Sequence, residues 1–73
     1  MPHVNIKHFP SLTKAQQEML GTEITQVITR VIQCHEDVVS IALEEIDPVI
    51  WDEQVYQPEI LGRKELLCKL PNY

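Results

Sequence analysis

The chain has few of the residues that stabilise very small proteins or that bind nucleic acid. Only two cysteines occur, Cys34 and Cys68, which are too few for a disulfide framework, and neither belongs to a CxxC pair. We expect both to be reduced and buried as small apolar residues. Six basic residues stand against 11 acidic ones, a net charge of −5. This charge excludes the basic footprint that nucleic-acid binding requires.

Long apolar runs are also missing. No stretch of 18 apolar residues occurs, which excludes a membrane-spanning helix. The first residues lack the charged and apolar regions of a signal peptide, so a cytoplasmic protein is the default expectation. The 73 residues, 44% of them hydrophobic, form a single small domain, residues 1–73. A domain of this size without disulfides or a metal is only marginally stable alone, so we expect an oligomer.

The amino-terminal half is predicted to form a β-α-β unit over residues 2–46. Residues 3–9 alternate in polarity as a strand does, and residues 38–46 form a second apolar strand. Between them Thr13 is the predicted N-cap, with Gln16 as its capping-box partner, of a helix from Lys14 to about Gln33. The apolar stripe of this helix consists of Leu20, Ile24, Val27, Ile28 and Val31.

The order strand, helix, strand implies two parallel strands joined by a right-handed crossover, an α+β (α/β) fold. One helix covers only one face of a two-stranded sheet, and such a sheet is not stable alone. The uncovered face therefore predicts contact with another subunit. Residues 47–73 are expected to form a helical extension, with a short helix or a turn from Trp51 to Gln57 and a further helix that begins at Pro58 and runs to about residue 70.

The pair Met1-Pro2 carries the chemistry of the chain. If Met1 is removed, Pro2 becomes a free secondary amine at the head of a strand, and such an amine is a base near neutral pH. The alternative is that proline stands at the second position by chance. No pair of His or Cys residues has zinc-ligand spacing, and no phosphate loop, GxSxG or GxGxxG occurs, so we expect no metal and no cofactor.

These features together resemble the tautomerase superfamily. The motifs are Met1-Pro2, the helix start at residues 13–17, Glu45 late in the second strand and the aromatic Trp51, and they cover residues 2 to 51. The chain is most similar to the short 4-oxalocrotonate tautomerase family and, within it, to the bacterial branch acting on phenylpyruvate-type enols. The resemblance implies a tautomerase-type (MIF-like) unit in which Pro2 is the catalytic base.

The resemblance also implies where the substrate binds. The arginines that dicarboxylate-processing members use fall on Leu12 and Ser40 here, and neither side chain forms an ion pair with a carboxylate. A 2-oxo or enol monoacid with an apolar tail, such as phenylpyruvate, is therefore the expected small-molecule partner. The expected substrate-binding residues, which would surround Pro2, are Phe9, Val38, Ser40 and Trp51.

Several alternatives stay open from the sequence. Phe9 and Trp51 line the pocket or belong to the core, and Ser40 donates to substrate or is bonded locally. The protein is a tautomerase, a related hydratase, dehalogenase or decarboxylase, or a non-catalytic dimeric scaffold. The branch with a long carboxyl-terminal extension favours a homodimer over a hexamer. Candidate cations for the substrate carboxylate, each equally a surface charge, are Lys7, His8, Arg30, Arg63 and Lys64.

Overall fold

Two parallel strands and one long helix form the body of the chain in a computed structural model that describes residues 1–73. Strand β1, His3–His8, pairs with strand β2, Ser40–Glu45. Helix α1, Lys14–Ile28, connects the two strands. The predicted β-α-β unit and α+β fold class are confirmed.

Helix α1 begins where the sequence predicted. The Thr13 hydroxyl accepts a hydrogen bond of 3.1 Å from the Gln16 N–H, and the Gln16 side chain accepts one of 2.9 Å from the Thr13 N–H. After Ile28 the helix continues as a π-helical turn, Thr29–Gln33. Gln33 adopts a φ of 62°. This left-handed conformation ends the helical segment at the predicted residue.

The apolar stripe of α1 is divided between packed and exposed positions. Leu20, Ile24 and Ile28 are half-buried, and α1 contacts strand β2. Val27 and Val31 of the same predicted stripe are 46% and 68% exposed. One two-stranded sheet is too narrow to cover the full width of the stripe, so apolar surface stays in contact with solvent.

The sheet face opposite α1 is polar and partly open. Asn5 Nδ2 donates across the strands to the Glu44 carboxylate at 3.2 Å. Lys7 forms an ion pair with Glu59. Glu59 belongs to a helix over Asp52–Leu61, so this helix reaches the sheet where Lys7 lies.

The carboxyl-terminal segment forms one helix where the sequence predicted a short helix or turn followed by a second helix. Asp47 Oδ1 accepts a hydrogen bond of 2.9 Å from the Val49 N–H and caps a 3-10 turn, Pro48–Ile50. Helix α2, Asp52–Leu61, follows in π-helical geometry and contains Pro58 in its interior. The prediction of a helix from Pro58 to about residue 70 is therefore wrong, since Pro48, with its capping aspartate, occupies the first turn instead.

Helix α2 ends at Gly62, where the backbone comes too close for a side chain. A Cβ at this position would lie 2.6 Å from the Pro58 carbonyl oxygen. A 3-10 turn, Lys64–Leu66, and an extended tail complete the chain. The two buried residues are Ile46, directly after β2, and Val55 in α2.

The cysteines only partly match their predicted environment. Both are free thiols, as expected, and Cys34 is half-buried after α1. Cys68 is exposed, so its predicted burial is wrong: it lies on the extended tail, which has no core of its own to enter. None of the helices has the length and hydropathy needed to cross a lipid bilayer.

Candidate active site

Pro2 lies at the head of the sheet, where strand β2 also begins. The Ser40 N–H donates a hydrogen bond of 3.2 Å to the Pro2 carbonyl. Val38 closes a 3-10 turn, Glu36–Val38, directly before β2, and is half-buried. Because the strands are parallel, both amino-terminal ends meet at one edge, and Pro2, Val38 and Ser40 come together there.

The Ser40 hydroxyl has a specific partner at this edge. His3 Nδ1 lies 2.6 Å from Ser40 Oγ, within hydrogen-bond distance, and the two residues are directly opposite in the sheet. Both are exposed. An imidazole and a hydroxyl beside the strand head are polar groups that a bound carboxylate or enolate oxygen can approach.

Aromatic side chains collect at the other end of the sheet. Phe9, directly after β1, meets Trp51 edge to face, with ring centroids 5.1 Å apart and planes at 88°. Such pairs contribute roughly 0.5–1.5 kcal/mol beyond their buried area. Trp51 lies between the 3-10 turn and α2, so the capping at Asp47 fixes its position beside Phe9.

A cavity of about 460 Å³, open to solvent on one side, is lined by Phe9, Trp51 and Tyr73. Its lining carries no charged side chain. This volume falls within the range of small-molecule sites, roughly 300–1,000 Å³. Sequence reasoning missed Tyr73, because no local pattern in an extended tail indicates that the chain returns to the sheet.

The expected surroundings of Pro2 are divided between the two ends of the sheet. Val38 and Ser40 lie with Pro2, whereas Phe9 and Trp51 lie with each other at the opposite end. The six residues of β1 advance by about 3.3 Å each, which separates the ends by roughly 16 Å. Within one chain, Phe9 and Trp51 therefore do not surround Pro2.

Lys7, one of the candidate cations, is already paired. Its ammonium donates to the Glu59 carboxylate, and this hydrogen bond raises the pKa of Lys7 above its ordinary value of 10.5. Partial burial of Lys7 lowers the pKa and so opposes this shift. The negative charges of Glu59 and Glu44 raise it further. His8 Nδ1 lies 2.6 Å from the Phe9 carbonyl oxygen. No group of three His, Cys, Asp or Glu side chains is placed to hold a metal ion.

Comparison with known proteins finds several relatives that carry the same name. No family model matches the chain. Proteins named Tautomerase PptA match its full length, with 97% of each relative covered: 42% identity in Cronobacter sakazakii, 40% in Klebsiella pneumoniae and 32% in Pectobacterium carotovorum. Identity at this level over the whole chain, together with the β-α-β unit, places the chain in the short 4-oxalocrotonate tautomerase-type family, to which it belongs.

Proposed function

We propose that this protein interconverts the keto and enol forms of a 2-oxo monoacid with an aromatic tail, such as phenylpyruvate, and that Pro2 is the base. Tautomerase activity in general is supported by the named relatives. The observation that carries the finer proposal is the uncharged aromatic cavity at the end of the strand that Pro2 begins. An apolar ring fits this cavity, whereas a second carboxylate would meet three aromatic side chains there and no cationic partner.

The reaction needs a base that is neutral at working pH. Removal of Met1 turns the Pro2 nitrogen from an amide into a secondary amine, and an α-amino group has an ordinary pKa of roughly 7.7–8.0. The amine takes the proton from one site of the enol or keto acid and returns it to the other. A positioned proton carrier contributes about 10²–10⁴-fold to the rate.

The polar head of the substrate would lie at the Pro2 end. Ser40 and His3, 2.6 Å apart, supply hydrogen-bonding groups there. Leu12 and Ser40 stand where dicarboxylate-processing relatives use arginines, so only one carboxylate is expected in the substrate. A monoacid therefore matches both the uncharged cavity and the missing cations.

A second copy of the chain would bring the two halves of the site together. One chain keeps Pro2 and the Phe9–Trp51 cavity at opposite ends of its sheet. Only two of 73 residues are buried, which is a small core for an independent domain. We therefore include a homodimer in the proposal, with Pro2 of one copy facing the aromatic cavity of the other.

Pairing along the free edge of β1 gives the shortest approach. A two-fold axis near the middle of His3–His8 makes the strands antiparallel, with Pro2 of one copy beside the segment 8–10 of the other. The backbone of Pro2 in one copy is then about one strand spacing, roughly 4.8 Å, from the backbone of this segment in the other. Pairing through β2 instead would insert both β2 strands between them, which is roughly 14 Å.

Ketonisation of phenylenolpyruvate tests the proposal. Intact mass first verifies that Met1 is absent. Pro2→Ala keeps a primary amine, so we expect a loss in kcat of about 10²-fold, at the lower end of the range for a proton carrier. Pro58→Ala is the matched control, since Pro58 lies inside α2 and should leave the rate unchanged. Equal rates for the parent protein and Pro2→Ala would refute Pro2 as the base.

A further inference from the structure

Tyr73, the third residue that lines the aromatic cavity, has no role in the proton transfer itself. We propose that Tyr73 is a specificity-determining residue that selects acids with an aromatic tail over acids with a short aliphatic tail. This inference rests on the proposed function, because it assigns the tail of the same substrate to the same cavity. It adds a residue from a segment that sequence reasoning did not connect with the site.

Tyr73 is held at the cavity from two directions. The Trp51 indole Nε1–H donates to the Tyr73 hydroxyl at 3.3 Å, and the Tyr56 hydroxyl donates to the Tyr73 main-chain oxygen at 3.3 Å. The Tyr56 and Tyr73 rings also lie against each other, with centroids 5.6 Å apart. These contacts place the Tyr73 ring beside Trp51 and its backbone beside Tyr56.

The Tyr73 ring is held in place by these contacts but is not buried by them. Its residue is 68% exposed, so most of its surface is free to contact another group. A purely structural anchor would bury its ring. Trp51 is half-buried and Phe9 is 51% exposed, so the three rings form an open-sided recess instead of a closed core.

A recess with three aromatic walls discriminates by shape and contact area. A phenyl ring touches all three walls and gains the geometry-dependent attraction between aromatic rings. A methyl or ethyl tail fills only a fraction of the roughly 460 Å³ and leaves the Tyr73 wall uncontacted. Removal of the Tyr73 ring should therefore weaken aromatic ligands and leave short aliphatic ones almost unchanged.

Binding can be measured apart from turnover, because Trp51 is the single tryptophan of the chain. Its fluorescence is titrated with 3-phenylpropanoate and with butanoate, which lack a 2-oxo group. For Tyr73→Ala we expect the Kd of 3-phenylpropanoate to rise about tenfold, as the loss of one aromatic wall predicts, and that of butanoate to change less than about twofold. Tyr73→Phe keeps the ring and should stay within about threefold of the parent protein for both.

Kinetics give a second reading on the same variants. For Tyr73→Ala, KM for phenylenolpyruvate should rise about tenfold while kcat changes less than about twofold, since the base is untouched. Leu70→Ala is the matched control for loss of a large apolar side chain from the same tail, because Leu70 is exposed and does not line the cavity, and it should change KM less than about twofold.

The outcomes separate this inference from the proposed function. Equal weakening of both ligands in Tyr73→Ala, or no weakening of either, would overturn the role of Tyr73. An unchanged rate in Pro2→Ala would refute Pro2 as the base. The fluorescence titration would still test whether Tyr73 selects aromatic ligands. Because Tyr73 is mostly exposed, its alanine variant should fold, and an unfolding midpoint within a few degrees of the parent verifies this.

Discussion

The Ser40 N–H donates a 3.2 Å hydrogen bond to the carbonyl of Pro2, so the head of β1 is held through the oxygen of Pro2 and not through its nitrogen. The Pro2 nitrogen thus takes no part in the hydrogen bonds of the sheet. Chemistry at that nitrogen can be changed without removing a bond that the fold uses.

Retention of Met1, or any residue placed before Pro2, should abolish activity and leave the fold intact. The Pro2 nitrogen is then an amide with no basic lone pair, and we expect kcat for phenylenolpyruvate to fall by about 10²–10⁴-fold. The free energy of unfolding should stay within about 0.5 kcal/mol of that of the processed protein, as for a surface change. Comparable activity in the extended and processed proteins would contradict the assignment of Pro2.

Restoring the two family arginines should change the preferred substrate. In the double variant Leu12→Arg, Ser40→Arg, two guanidinium groups become available to a dicarboxylate, and bonds to charged groups contribute roughly 1.5–3 kcal/mol. The ratio of kcat/KM for 2-hydroxymuconate to that for phenylenolpyruvate should rise at least about tenfold. The same positions changed to Leu12→Gln and Ser40→Gln control for polarity without charge. A ratio unchanged by arginine would contradict the monoacid interpretation.

The Lys7–Glu59 ion pair should stabilise the protein in a defined pH range. The folded-state pKa of Lys7 is raised above 10.5 by its hydrogen bond to Glu59. The stabilisation is therefore fully present below the unfolded pKa of about 10.4 and is lost as the pH rises through the folded value. Thermal unfolding between pH 9 and pH 12 should show a fall in midpoint that Lys7→Gln lacks.

Glu59→Gln tests the same pair from the other side and should remove the same alkaline fall. Lys64→Gln, in the 3-10 turn after α2, is the matched control for loss of one lysine charge. If Lys64→Gln removed the fall equally, net charge and not the ion pair would be its cause.

Dimerisation through the edge of β1 predicts which backbone groups matter. The carbonyls of Pro2 and His8 accept from β2-side N–H groups, so in a parallel ladder the alternate residue Asn5 directs its own N–H to the free edge. Asn5→Pro removes that donor without removing a β1–β2 hydrogen bond. Sedimentation equilibrium should show the dimer dissociation constant raised at least about tenfold.

Asn5→Ala is the control, because it removes the side chain that bonds Glu44 and keeps the backbone N–H. It should remain as dimeric as the parent protein. A parent chain that sediments as a monomer at micromolar concentration, or an Asn5→Pro variant that associates as tightly as Asn5→Ala, would exclude the β1 edge as the interface.

Local chemistry made much of the fold predictable. The Thr13–Gln16 capping box, the alternation in β1 and the apolar pattern of residues 38–46 each depend on neighbours within a few residues. The helix and the strands formed where those signals lie. The carboxyl-terminal segment was predicted less well. There the signal at Pro58 competed with the signal at Asp47-Pro48, and the aspartate cap decided the helix start.

The sequence by itself determined the β-α-β order, the family and the residue types of the site: a proline after Met1, two aromatics, and no arginine at Leu12 or Ser40. Only the tertiary structure decided which of these residues meet. Parallel pairing places Pro2 with Ser40 and sends Phe9 to the opposite end, and the tail returns Tyr73 to Trp51. Such contacts join residues far apart in the chain, so no local pattern in the sequence encodes them.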